Sequence, residues 1–191
     1  MKIKHLIAAL AASSTLGAGI AFAADTYKID PNHTYPSFEA DHMGISVWRG
    51  KFNKTEGSVT LDREKKTGTI DIVIDTTSID FGHEGMNAHA KKADIFDVAQ
   101  FPQATFKAKS ITFTGDVPTS AEGELTLHGV TRPLTLTINR FKCIEHPRLK
   151  REVCGADASA TFNRGDFGIT FGLPAFSPEV KLAIQVEAVK Q

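Results

Sequence analysis

The feature that most constrains this chain is the alternation of apolar and polar residues, in short runs that recur from Thr26 to the end of the sequence. Successive side chains of an extended strand point to opposite faces, so a period of two marks a strand with one covered and one wet face. Thr69 to Asp75 is the plainest case: Ile70, Ile72 and Ile74 share one face, and Thr69, Asp71 and Asp75 the other. Val180 to Ala188 repeats it, with Val180, Leu182, Ile184, Val186 and Ala188 opposed by Lys181, Gln185 and Glu187. Further runs are Phe38/Ala40/His42, Val59/Leu61, Leu125/Leu127, Leu134/Leu136/Ile138 and Ala158/Ala160/Phe162. Through Phe106, Ala108, Ile111 and Phe113 the parity slips by one residue, the mark of either a bulge within one strand or two strands. Gly, Pro, Asn and Asp separate the runs, and the total is about eight strands.

Half-covered strands with almost no helix between them bury their apolar faces by pairing two sheets or by closing into a barrel. Closure also removes exposed edges. The reading is an all-β fold, a single antiparallel eight-stranded barrel. One segment departs from the alternation. Gly82 to Ala93 has no β-branched residue and sets Met86, His89, Ala90 and Ala93 on one helical face. Lys91 and Lys92 fall in its last turn, where the helix dipole favours cations. A short helix around residues 83–93 is expected to lie as a lid across one barrel end.

The first residues carry a different signal. Lys2 and Lys4 precede the apolar stretch Leu6 to Leu16, and Ala21-Phe22-Ala23 stands just before Asp25. This reads as a cleavable secretory signal over residues 1–23, with the mature domain at 24–191 and the bacterial periplasm as its destination. The stretch is shorter than the roughly 20 apolar residues a spanning helix needs. Two of the 22 basic residues lie in the signal, which leaves 20 against 22 acidic ones. Such a balance speaks against nucleic acid, which rewards a clustered basic surface. Cys143 and Cys154 are the only cysteines, and in an oxidising compartment a disulfide between them is expected.

Whether the barrel is solid or hollow turns on what faces inward. Ala40, Ala108, Ala158 and Ala160 are small residues on the inner face, and they leave volume that a packed core would fill. Phe81, Phe96, Phe101, Phe167, Phe171 and Phe176 flank the expected turns or the helix, where they would rim an opening. Barrels of this size either fill themselves with side chains or hold one ligand. His33, His42, His83 and His89 fall in the amino-terminal half and would meet at one mouth, so a histidine-dependent metal site or enzyme is the competing reading. Their spacings match no zinc pattern, and neither GxSxG, a Walker loop nor GxGxxG occurs. No catalytic residue and no metal ligand is assigned. Arg49, Arg132 and Arg164 are further candidates to anchor a polar or anionic head, and His128 to Pro133 reads as a turn between strands.

Three stretches taken together resemble the YceI-like family of bacterial periplasmic proteins. They are Tyr27 to Thr34 followed by Phe38, His42 and Gly50-Lys51-Phe52; Ala93 to Asp97 with Phe101 to Phe106, preceded by His83 and His89; and Gly123 to Leu136. The resemblance implies a lipocalin-like barrel with an elongated apolar tunnel that carries polyisoprenoids, quinones such as ubiquinone, or fatty-chain amphiphiles. Ala90 and Met86 depart from the family's usual lid, and Phe141 to Gly155 with its cysteines looks like a subgroup feature.

The expected ligand is therefore a long isoprenoid lipid or quinone, held without catalysis and without a catalytic cofactor. Its tail is expected against Phe38, Ala40, Phe52, Ile70, Ile72, Ile74, Met86, Phe96, Phe106, Leu125, Leu136, Ala158, Phe162, Leu182 and Ile184. His33, His42, His89 and Arg49 are expected at the head. A third reading is an interaction module whose barrel is filled by its own side chains. The sequence leaves open a transient redox or lipid-handling partner at the inner membrane and a homodimer.

Overall fold

The computed structural model describes residues 24–191, and the expected signal segment 1–23 lies outside the described residues. The elements are β1 (Asp25–Ile29), β2 (Tyr35–His42), β3 (Ser46–Phe52), β4 (Thr55–Asp62), β5 (Thr67–Asp75), β6 (Ile79–Asp80), α1 (Glu84–Ala90), β7 (Gln103–Thr114), β8 (Val117–Leu127), β9 (Val130–Glu145), β10 (Glu152–Asn163) and β11 (Glu179–Lys190). Every pairing is antiparallel, and the sheet closes on itself where β11 meets β1. Eleven segments make eight staves, because three staves are interrupted. β1 and β2 run on in one direction and share β11, β1 at Ala188 to Lys190 and β2 at Val180 to Gln185. In the same way β3 continues into β4 and β5 into β6. The result is an up-and-down barrel of eight staves in chain order, and each apolar run read from the sequence falls on a different stave.

The interruptions have local causes. Between β1 and β2, Pro31 has no amide hydrogen to give the ladder. Asp30 folds the chain there, accepting from the Asn32 amide at 2.9 Å and contacting His33 Nδ1 at 2.7 Å. The parity slip in β7 is a bulge within one strand: Ala108 pairs with Gly123 and Ser110 with Glu122, which leaves Lys109 unmatched. β9 and β10 carry a further irregularity beside Asp157, and above it Cys143 and Cys154 face each other across the ladder and form the disulfide. The turn from β8 to β9 is as tight as an antiparallel pair allows. Leu127 pairs with Val130 across His128 and Gly129, both with positive φ (50° and 73°), a conformation glycine adopts without strain.

The helix is shorter than the expected 83–93. His83 caps it, its Nδ1 accepting from the Met86 amide at 3.2 Å, and Lys91 already ends it. Ala90 gives its carbonyl to the Phe96 amide at 3.1 Å, and the chain turns away through Asp97. Lys91 and Lys92 thus lie beyond the last turn, and His89 is the basic residue within it. Two apolar clusters organise the interior. The larger lines the barrel body from Tyr27 and Leu61 to Phe106 and Leu136, and the smaller gathers Phe38, Phe52, Ile79, Ala90 and Val180 beneath the helix.

Candidate functional site

The barrel is hollow. A cavity of about 490 Å³ runs between the staves, within the roughly 300–1,000 Å³ range of ligand pockets. β5 presents Ile70, Ile72 and Ile74 to it, β11 presents Leu182, Ile184 and Val186, and β8 and β9 add Leu125, Leu134 and Leu136. The even or odd parity of each strand decides which residues take part, so the alternation that builds the sheet also makes the wall apolar. All the residues expected against the tail border this one space, together with His42 and His89. Of the small inward residues, Ala40 and Ala158 border it while Ala108 and Ala160 do not; Ala104, Ala121 and Ala188 take their place.

The two ends differ. At the far end Tyr27, Leu61, Ile111, Ala121 and Cys154 are buried. Below them a polar knot closes the barrel: Tyr27 donates to Glu152, and Arg63 donates to both carboxylate oxygens at 2.6 and 2.9 Å. Burial and the hydrogen bond to Glu152 push the Tyr27 hydroxyl well above its ordinary pKa. At Glu152, burial pulls upward but is outweighed by the hydrogen bonds from Arg63 and Tyr27, so its carboxyl stays below the usual value.

At the lid end the lining side chains are half-exposed and aromatic, and the cavity opens there. His42 stacks on Trp48 with ring centres 4.2 Å apart and meets Phe176 at 5.0 Å. Phe176 neighbours Phe171 at 6.2 Å, and Phe171 meets His89 edge-on at 5.1 Å. The rim is thus a continuous arc from β3 through the 164–178 loop to α1. Phe81 and Phe96 also border the cavity, but Phe101 and Phe167 do not. Phe101 packs on His128 at 4.6 Å, and Phe167 is buried against Phe162 at 5.2 Å. His128 does more than make a turn, because its Nδ1 contacts the Phe167 carbonyl at 3.2 Å and ties the two loops together.

Two of the four head-group candidates lie elsewhere. His33 sits in the break between β1 and β2 against Asp30, which raises its pKa, and is 61 % exposed. Arg49 points outward from β3 and pairs with Glu39 at 2.7 Å. The four histidines do not assemble into a metal centre either. Among the described residues the sole ligating cluster is Cys143, Glu152 and Cys154, and its two sulfurs are joined to each other.

Beside His42 and His89 the mouth holds Arg164, one of the three arginines named from the sequence as anchors for a polar or anionic head. It begins the turn after β10. Its Nε donates to the Ser177 carbonyl at 3.2 Å and a terminal nitrogen to the Ile169 carbonyl at 3.1 Å. The second terminal nitrogen has no hydrogen-bond partner, and no carboxylate lies within ion-pair distance, among the described residues.

Residues 27–188 match the family model of the YceI-like domain. The chain belongs to the YceI-like family. Curated relatives include a UPF0312 protein of Pseudomonas aeruginosa, 36% identical over 99% of this chain and 100% of the relative. Protein YceI of Escherichia coli O157:H7 is 36% identical over 98% of each chain. Among solved structures, Burkholderia cenocepacia BcnA superposes with a TM-score of 0.69 at 22% identity, covering 84% of this chain and 99% of its own. A structure described as a polyisoprenoid binding domain from Saccharophagus degradans gives 0.63 at 15% identity, over 86% of this chain and 98% of its own. These likenesses establish the YceI-like barrel as the fold.

Proposed function

We propose that this protein carries one long apolar chain, a polyisoprenoid or an isoprenoid quinone such as ubiquinone, inside its barrel in the bacterial periplasm. The observation that carries the reading is the cavity itself, running the length of the barrel with a wall that is almost entirely carbon. A prenyl unit has five carbons, and at about 0.8 kcal/mol per buried methylene its removal from water contributes up to about 4 kcal/mol. Four such units outweigh any single head-group contact. The polyisoprenoid binding described for the Saccharophagus degradans domain supports the same class of cargo. The secretory pattern of residues 1–23 supports the location. A water-insoluble cargo requires hand-over at a membrane, so a transient lipid-handling or redox partner at the inner membrane belongs to the proposal.

The competing readings fare less well on geometry. A histidine-dependent enzyme needs its histidines together, yet His33 and His83 are engaged in a turn and a helix cap. A filled barrel is contradicted by the cavity. The deciding measurement is native mass spectrometry of the mature protein purified from its host, followed by extraction and weighing of the bound molecule. An adduct with the mass of a prenyl lipid is expected. A lipid-free protein that also takes up neither ubiquinone nor a prenyl alcohol ends this reading.

A further inference from the structure

The mouth of the cavity holds a cation that the fold does not neutralise. Arg164 opens the turn that follows β10, two residues after Phe162, and borders the same cavity as Phe162. Two of its nitrogens are used on backbone carbonyls, of Ile169 and Ser177. Those residues are the two feet of the loop that carries Phe171 and Phe176, so the guanidinium sits at the base of the aromatic rim. Carbonyls satisfy N–H groups but leave the charge uncompensated by any carboxylate, and at a half-buried mouth solvent screens it only in part. Asp166, two residues on, is exposed and makes no ion pair with it. Asp41, the other charged residue on the cavity lining, accepts from the Gly44 amide at 2.8 Å instead. Burial depresses the pKa of Arg164, which nevertheless stays charged at any physiological pH.

We infer that Arg164 is the head-group site, and that it selects cargo ending in an acidic oxygen head, a phosphate or a carboxylate, over the neutral alcohol or quinone of the same chain. The inference rests on the carrier reading and narrows it. An acidic head supplies the missing counter-charge, and its oxygens accept from the free terminal nitrogen in a charge-assisted hydrogen bond. The apolar tail then extends past Phe162 into the barrel, while His42 and His89 stand on the rim to either side of the loop. Arginine suits this position because its planar fork can hold two loop carbonyls and still present a donor, which a lysine ammonium on one flexible stem does not reproduce.

The test compares geranylgeranyl monophosphate, geranylgeranoic acid and geranylgeraniol, which share one tail, by displacement of a fluorescent lipid from the lipid-stripped mature protein. The phosphate, the acid or both are expected to bind at least tenfold more tightly than the alcohol, and which of them does identifies the source of the head. In Arg164→Gln that preference, read as the ratio of acid or phosphate to alcohol affinity in the same variant, is expected to fall to within about twofold, and Arg164→Lys is expected to retain part of it. Equal binding of all three by the unaltered protein overturns the inference and leaves the carrier reading intact. An acidic preference that survives in Arg164→Gln overturns the assignment to this residue. Binding of none of the three removes the carrier reading and this inference with it. The comparison on the unaltered protein decides the selectivity even if Arg164→Gln does not fold.

Discussion

Thr55 places a hydroxyl in a wall built mostly of carbon, and its Oγ1 is buried without a hydrogen-bond partner among the described residues. Such a group has lost its water and gained nothing, at a cost of about 1–3 kcal/mol. Thr55→Val keeps the shape and removes the orphan. The variant is expected to gain about 1 kcal/mol, seen as a rise of about 2–4 °C in the thermal midpoint for a chain of this size. An unchanged or lower midpoint means that the hydroxyl has a partner in solution. At this scale the sequence was legible wherever parity could be read. The expected tail residues on strands border the cavity because each is on the inward phase of its strand, while Met86 reaches it from α1 and Phe96 from the turn that follows. Arg164 stands just past the end of β10, two residues after Phe162, so its place at the mouth comes from the turn and not from strand phase. Arg49 is on the opposite phase from Trp48, Gly50 and Phe52, so its outward direction was readable too. His33 was not readable in this way, since it sits in a break where no phase applies.

Among the elements, β3 was the hardest to see, because Gly50 stands where an apolar side chain would have continued the run from Trp48 to Phe52. The structure gives the reason for glycine there. A Cβ on residue 50 would lie 2.6 Å from the tip of the Phe38 ring and 3.0 Å from Phe81. Both rings belong to the cluster under α1, with Phe38 and Phe81 meeting edge to face at 5.6 Å. Gly50→Ala must push these rings into the cavity or outward. Overpacking of this kind costs about 1–3 kcal/mol, and lipid uptake is expected to fall severalfold in the same variant. Chemical unfolding and a fluorescent-lipid titration on one sample check both, and uptake unchanged beside a lowered stability would detach this ring cluster from the entrance. The helix was visible from its composition, but its end was not. The turn that stops it depends on the Phe96 amide reaching the Ala90 carbonyl, a contact between residues six apart that no periodicity announces. The disulfide is likewise an element-scale device, joining two strands already in register. Cys143→Ser with Cys154→Ser is expected to lower stability by no more than about 3 kcal/mol, with lipid uptake preserved because the ring of staves does not depend on it.

For the whole molecule, closure of one end and access at the other follow from where the polar groups sit. The knot of Tyr27, Arg63 and Glu152 seals the base, and its titration sets part of the pH range over which the barrel stands. Glu152 has a folded pKa below its ordinary 4.5, so its contribution is present above that value and is lost as the pH falls through the folded one. Asp30, Asp75 and Asp80 are depressed as well, so the acid limb is shared and points to no single residue. The alkaline limb is more specific. Tyr27 is raised above its ordinary 10.0, so the folded state holds that proton longer, and stability falls as the pH climbs past this value. Tyr27→Phe is expected to flatten stability between about pH 10 and 11, measured by urea midpoints, and an unchanged slope would exclude the knot as its source. A hollow barrel adds a second dependence, on its cargo. Empty, the apolar wall loses packing partners; filled, it regains them, and a ligand that binds only the folded chain stabilises it by mass action. At 100 times the dissociation constant the gain is about 2.7 kcal/mol, a rise of about 5–10 °C in the thermal midpoint at this chain length. A prenyl lipid is therefore expected to raise the midpoint with the logarithm of its concentration, and a short alcohol with the same head is not. If both raise it equally, the head and not the tunnel holds the ligand, and the length of the cavity has no part in binding.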